Sequence, residues 1–169
     1  MSVSMYRLSI PVFVRGFGVL SGYLDKAAAF ADESGLDPDV LVDARLAPDM
    51  LPLAGQVQRA SDTSKNAIVR LTGIEAPRFA DNETTFAELQ QRIRNTLDFF
   101  ASVAPERLEG SEAREVKLAF GKLQATLTGS EYLLTFALPN FYFHIATVHA
   151  ILRQQRVQIG KLDYLGPFG

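Results

Sequence analysis

The chain has 169 residues, no cysteine, 47% hydrophobic and 21% charged residues, and a formal net charge of −2. That length suits one domain with a substantial core, here the whole of residues 1–169, and the apolar–charged balance excludes disorder. Without cysteine there are no disulfides, thiolate metal ligands or cysteine nucleophile, and the near-neutral charge gives no field that would draw nucleic acid or an anionic membrane.

From the N-terminus, Leu8 to Leu24 is rich in apolar residues, but Arg15 interrupts the run and Pro11 lies near its start. A bilayer span needs about 20 nearly uncharged apolar residues and a signal peptide needs a cleavage site. The segment therefore reads as a buried helix, and a cytoplasmic address follows by default. This helix is expected from Ser9 to Glu33, ending at Gly35. Phe13, Phe17, Leu20, Leu24, Ala27 and Ala31 recur at alternating steps of four and three along one face. Gly16, Gly18 and Gly22 weaken it and point to close approach of a neighbouring helix. Asp37 and Pro38 have the form of an N-cap and first residue of a short helix.

The second long helix begins near Pro48 or Pro52 and ends by Gly73, with Leu53, Val57, Ala60, Ser64, Ile68 and Leu71 as its core stripe. Thr85 and Glu88 form a capping box for the third, where Phe86, Leu89, Ile93, Leu97, Phe100 and Val103 face one side and Pro105 stops the run. The charges of Glu88, Arg92, Arg94 and Asp98 read as its solvated face. The period then changes to two. A turn at Gly121-Lys122 pairs Phe120 with Leu123, Leu118 with Ala125 and Val116 with Leu127, which predicts a short β-hairpin covering one end of the helices. Gly129 and Ser130 lead into Tyr132 to Leu138, and Pro139 is placed to open the last long helix, whose stripe is Phe141, Ile145, Val148 and Leu152. Beyond Gly160 the apolar tail is expected to pack back on the domain or on a second subunit. The fold class is mainly α: a four-helix bundle with a short β-hairpin before the last long helix.

No phosphate loop, dinucleotide fingerprint or nucleophile elbow is present. The two histidines, His144 and His149, lie five residues apart, about 140° around a helix, and so do not share a face for one metal. His149, near Arg153, reads as a surface residue. Asn140 and His144 do share a face. Asp49 and Gln56 share another if the second helix starts at Pro48, in a polar pattern that runs on through Arg59 and Asp62. With the second and last long helices as neighbours, Asp49, Gln56, Asn140 and His144 converge as candidate ligand-binding residues. The plain alternative is that Gln56 and Asn140 only knit helices together, that Asp49 favours a helix N-terminus, and that His144 is a hydrogen-bonded boundary residue.

Four segments carry a resemblance over nearly the whole chain: Leu24 to Ala27, Ala44 to Met50, Leu138 to His144 and Ile159 to Gly166. Their order and spacing resemble the bacterial domain-of-unknown-function family nineteen-ninety-three, which is similar in fold to the DinB and YfiT group of four-helix bundles. That resemblance implies the bundle, frequent homodimers, and relatives that are metal enzymes, thiol-dependent transferases among them. Their metal is held by three histidines, one on the second helix and two spaced by four on the last. Here His144 resembles the second of that pair, Asn140 stands in place of the first, and the second helix has no histidine. The implied triad is degenerate, so no metal or other cofactor is expected, and no catalytic residue is assigned. The leading expectation is a bundle binding a small polar ligand between the second and last long helices. The alternatives are a transferase or hydrolase using His144 as general base, oriented by Asp49 or Asn140, and a non-catalytic homodimeric module.

Overall fold

The computed structural model describes residues 3–120 and 122–166. Its elements are α1 (Met5–Ser34), α2 (Pro38–Val42), α3 (Leu53–Thr72), α4 (Phe86–Ala101), β1 (Glu115–Phe120), β2 (Leu123–Thr128), α5 (Gly129–Tyr132), a π turn (Leu133–Ala137), α6 (Leu138–Gln154) and α7 (Lys161–Leu165). The four predicted apolar stripes form the core, with only Leu97 left partly exposed.

Helix α1 starts four residues earlier than its expected Ser9, because Ser4 supplies the N-cap and its hydroxyl accepts from Arg7 N at 3.3 Å. Pro11 is therefore inside the helix rather than in its first turn. Of the three glycines, only Gly16 meets a neighbouring helix: a Cβ there would fall 2.8 Å from Ile145 Cδ1 and closer still to the Phe141 ring. Gly18 and Gly22 have open space where a Cβ would stand. Asp37 caps α2 through Asp39 N, and both halves of the Thr85–Glu88 box are made. Helix α3 starts after Pro52, not at Pro48, and ends on a left-handed Gly73.

Cross-helix contacts give the directions. Gly16 lies against Phe141 and Tyr23 against His149, so α1 and α6 run parallel. Phe13 meets Phe100 and Ser21 meets Gln90, so α1 and α4 run antiparallel. The connection after α3 runs back along it, with Lys65 bonded to the Pro77 carbonyl and Gln58 to Glu83, and returns the chain to the end where α3 began. α3 and α4 are thus parallel neighbours joined by a long crossover. α3 also packs along α6, which closes the ring.

The hairpin has the expected register, Val116 with Leu127, Leu118 with Ala125 and Phe120 with Leu123; Gly121 of its turn lies outside the described residues. Val116 and Leu118 are buried. The last long helix begins upstream of Pro139. Thr128 caps α5 at Gly129, and the helical path continues through the π turn, where Leu138 N donates to the Leu133 carbonyl, before Pro139 is reached. The tail folds back on its own chain. α7 lies on α1, with Lys26 Nζ 2.6 Å from Asp163 Oδ1 and Arg15 bonded to the Leu165 carbonyl. Among the described residues, no helix is long and apolar enough to cross a membrane.

Candidate functional site

Three hydrogen bonds cross the antiparallel seam between α3 and the α5–α6 path. Gln56 Oε1 lies 2.8 Å from His144 Nδ1, Asn140 Nδ2 donates to Thr63 Oγ1 at 3.0 Å, and Arg70 Nη1 donates to the Tyr132 hydroxyl at 3.2 Å. On α3 the partners stand at 56, 63 and 70, a seven-residue repeat that keeps them on one face and spreads them over about 21 Å. On the facing side Tyr132, Phe136, Asn140 and His144 are spaced by four. In an unbroken α-helix, three such steps would swing the last side chain about 120° away from the first. The π turn takes up an extra residue and offsets much of that drift, so all four side chains line the same cleft.

This cleft has a volume of about 330 Å³. Arg59, Asp62, Thr63, Asn66 and Arg70 of α3 form one wall, and Leu51 and Leu118 add apolar surface.

The tautomer of His144 follows from its partner. Gln56 Nε2 donates to the Leu51 carbonyl at 3.1 Å, which turns Oε1 toward the ring; an amide oxygen only accepts, so Nδ1 carries the proton and the lone pair is on Nε2. Among the described residues, Arg92 Nε is the one buried side-chain polar atom without a partner, so the unbonded Nε2 is open to solvent. Burial, helped by the positive charge of Arg59, holds the His144 pKa at about 4, and the ring is neutral at pH 7. Asn140 Oδ1 likewise makes no protein hydrogen bond. Burial raises the Tyr132 phenol above its ordinary value in spite of Arg70.

Of the four residues singled out from sequence, Gln56, Asn140 and His144 meet on this seam, and Gln56 is buried behind the ring rather than on the cleft surface. Asp49 does not join them. It sits in the exposed turn before α3, because the helix starts past Pro52 and the seven-residue relation to Gln56 does not operate across a turn. His144 is oriented by Gln56, not by Asp49 or Asn140. Thr63, Arg70 and Tyr132 were missed; the repeat from Gln56 through Thr63 to Arg70 was the signal that pointed to the first two. His149 is no plain surface residue: its Nδ1 lies 2.8 Å from the buried Tyr23 hydroxyl, and its ring meets Tyr164 edge-on.

Residues 5–165 match a family described as a domain of unknown function, DUF1993. The chain belongs to that family. This DUF1993 chain also shares its fold with a DinB family member protein from Shewanella denitrificans. That crystal structure superposes with a TM-score of 0.90 at 39% identity, over 97% of this chain and 93% of the other. No curated protein matches.

The histidine-held metal implied by the wider DinB-like group does not fit the side chains of this DUF1993 chain. The donors around the cleft are one imidazole nitrogen, neutral amides, hydroxyls and the Asp62 carboxylate, which is already shared by Arg59, Lys65 and Arg92, and the Asn140 amide nitrogen is donated to Thr63. The charge that His144 feels is the guanidinium of Arg59, which opposes a cation. Among the described residues, no group of three His, Cys, Asp or Glu side chains is placed to hold an ion.

Proposed function

We propose that this protein binds a small polar ligand in the cleft between α3 and α6. One observation carries the reading: the seam that knits the two helices leaves an imidazole lone pair and an amide oxygen unbonded beside a cleft of about 330 Å³. A purely structural knit would be expected to close over such groups, whereas unbonded polar groups converging on a cleft that also offers apolar surface from Leu51, Leu118 and Phe136 suit a ligand site. The test is a side-chain NMR screen with a library of small polar compounds. Binders should shift the His144 Nε2 and Asn140 amide resonances, and Asn140→Ala should weaken them about tenfold, the worth of one hydrogen bond at a half-buried group. If no compound moves either resonance, the reading falls.

A second reading is a transferase or hydrolase in which His144 acts as base. The tautomer favours it, since Gln56 holds Nδ1–H and leaves Nε2 able to take a proton. The low pKa weighs against it, because a general base works best near the operating pH. If that reading holds, activity should be flat from pH 6 to 8 and fall only near pH 4, where the ring gains its proton. A rate that instead climbs across neutral pH would exclude His144 as the base.

A further inference from the structure

The cleft carries an unbalanced positive charge, and its place in the seam indicates the chemical class of the ligand. Around the α3 wall, three cations share three carboxylates. Arg59 pairs with Asp62 and Asp81, Lys65 with Asp62, and Arg92 with Asp62, Asp81 and Glu83. Arg70 stands outside this exchange. Its contacts are the Tyr132 hydroxyl and the face of the Tyr132 ring, 5.6 Å from the guanidinium carbon, and among the described residues it forms no ion pair with a carboxylate. Most of its planar donor fork therefore remains available at the cleft, in the geometry that suits a carboxylate.

The other walls limit the rest of the ligand. Phe136 stacks on Tyr132 with ring centroids 5.9 Å apart, and it lines the cleft with Leu51 and Leu118. Arg70 is seven residues along α3 from Thr63, about 10 Å, and Thr63 faces Asn140, whose Oδ1 is an unused acceptor. One surplus guanidinium balances one negative charge, and the volume is at the lower end for ligand sites.

We propose that the cleft takes a small monocarboxylate with an apolar or aromatic body, its carboxylate on Arg70, its body against Phe136, and a donor at its far end on Asn140. This inference rests on the ligand-binding reading above and adds the class of ligand to it.

A matched pair of probes tests it: 4-hydroxyphenylacetate and its neutral analogue 4-hydroxyphenylacetamide, titrated by calorimetry and by the Asn140 side-chain NMR signal. The acid should bind about tenfold or more tighter than the amide, one charge-assisted hydrogen bond being worth that much. Arg70→Gln should bring the ratio close to one, and Arg70→Lys, which keeps charge but not the fork, should leave an intermediate ratio. Arg70 is exposed, so these variants are expected to fold, and their melting curves verify it. Equal binding of acid and amide, or an acid preference unchanged in Arg70→Gln, overturns the carboxylate assignment and leaves the ligand site standing. If neither probe moves the Asn140 signal, the carboxylate assignment falls, while the ligand-binding reading is decided separately by the library screen.

Discussion

At the scale of single residues, the His144–Gln56 pair makes a pH-dependent contribution to stability. The folded pKa of about 4 lies below the ordinary 6.5, so as pH falls the unfolded chain takes up the proton first. The stability that comes from keeping the ring neutral is complete above about pH 6.5 and is lost progressively as pH drops toward 4. For a half-buried ring the loss should be about 2 kcal/mol, once solvent screening is allowed for. Urea denaturation of the wild type and His144→Gln at several pH values isolates it, because the background from His149, also depressed by burial, is common to both. A difference between the two proteins that stays constant from pH 7 to 4 would show that His144 is not held neutral. The site was half legible from sequence for a related reason. Asn140 and His144 are read from their shared helix face, and Gln56 from the polar row on α3. The reading erred at Asp49, since the start of a helix after two nearby prolines is a local choice that periodicity does not settle.

Two prolines at the scale of elements have different consequences. Pro11 stands inside α1, exposed, where its missing N–H leaves the Arg7 carbonyl to water. Pro139 follows the π turn, which has already rearranged the bonding of the preceding turn. Pro11→Ala should therefore stabilise the protein by about 2 kcal/mol, the helix-interior cost of about 3 less roughly 1 for the stiffer unfolded chain. Pro139→Ala should change stability by less than about 1 kcal/mol, because the widened turn has absorbed the defect. Thermal melts of the two variants decide this, and a large gain for Pro139→Ala would mean that the π turn is a strained response to the proline. The bundle itself was legible because its stripes are long and regular, and the hairpin because its pairing is self-consistent about a two-residue turn. The continuous path from Gly129 to Gln154 was not: a π turn has no sequence period of its own, and Pro139 resembled a helix start.

Across the whole molecule, the long crossover between α3 and α4 is held by a buried cation that the sequence reading placed on a solvated face. Arg92 has 1% of its side chain exposed. Its guanidinium reaches Asp62 at 2.9 Å on α3, and Glu83 at 2.9 Å, Asp81 at 3.0 Å and the Ala80 carbonyl at 3.1 Å on the crossover. On a helix projection Arg92 lies beside the buried Leu89 and Thr96, at the edge of the core stripe, and the crossover folding over it completes the burial of its charge. Buried ion pairs seldom add net stability, but removing Arg92 leaves the largely buried Glu83 without its counter-charge and weakens the share held by Asp62 and Asp81. Arg92→Met should cost about 3 kcal/mol. For a chain of this size that lowers Tm by roughly 6–12 °C. The cost should persist in high salt, since sealed charges are poorly screened, whereas Lys26→Ala, which breaks the exposed pair with Asp163, should cost less than about 1 kcal/mol. Because Asp62 also lines the cleft, losing Arg92 frees part of its charge there and should reduce the preference for an acid over its amide. Hydrogen exchange locates the effect: crossover amides near Pro77 to Glu83 should lose protection in Arg92→Met while those in the middle of α1 keep theirs. Uniform loss across both would instead mean that Arg92 supports the bundle as a whole and does not specifically fasten the crossover.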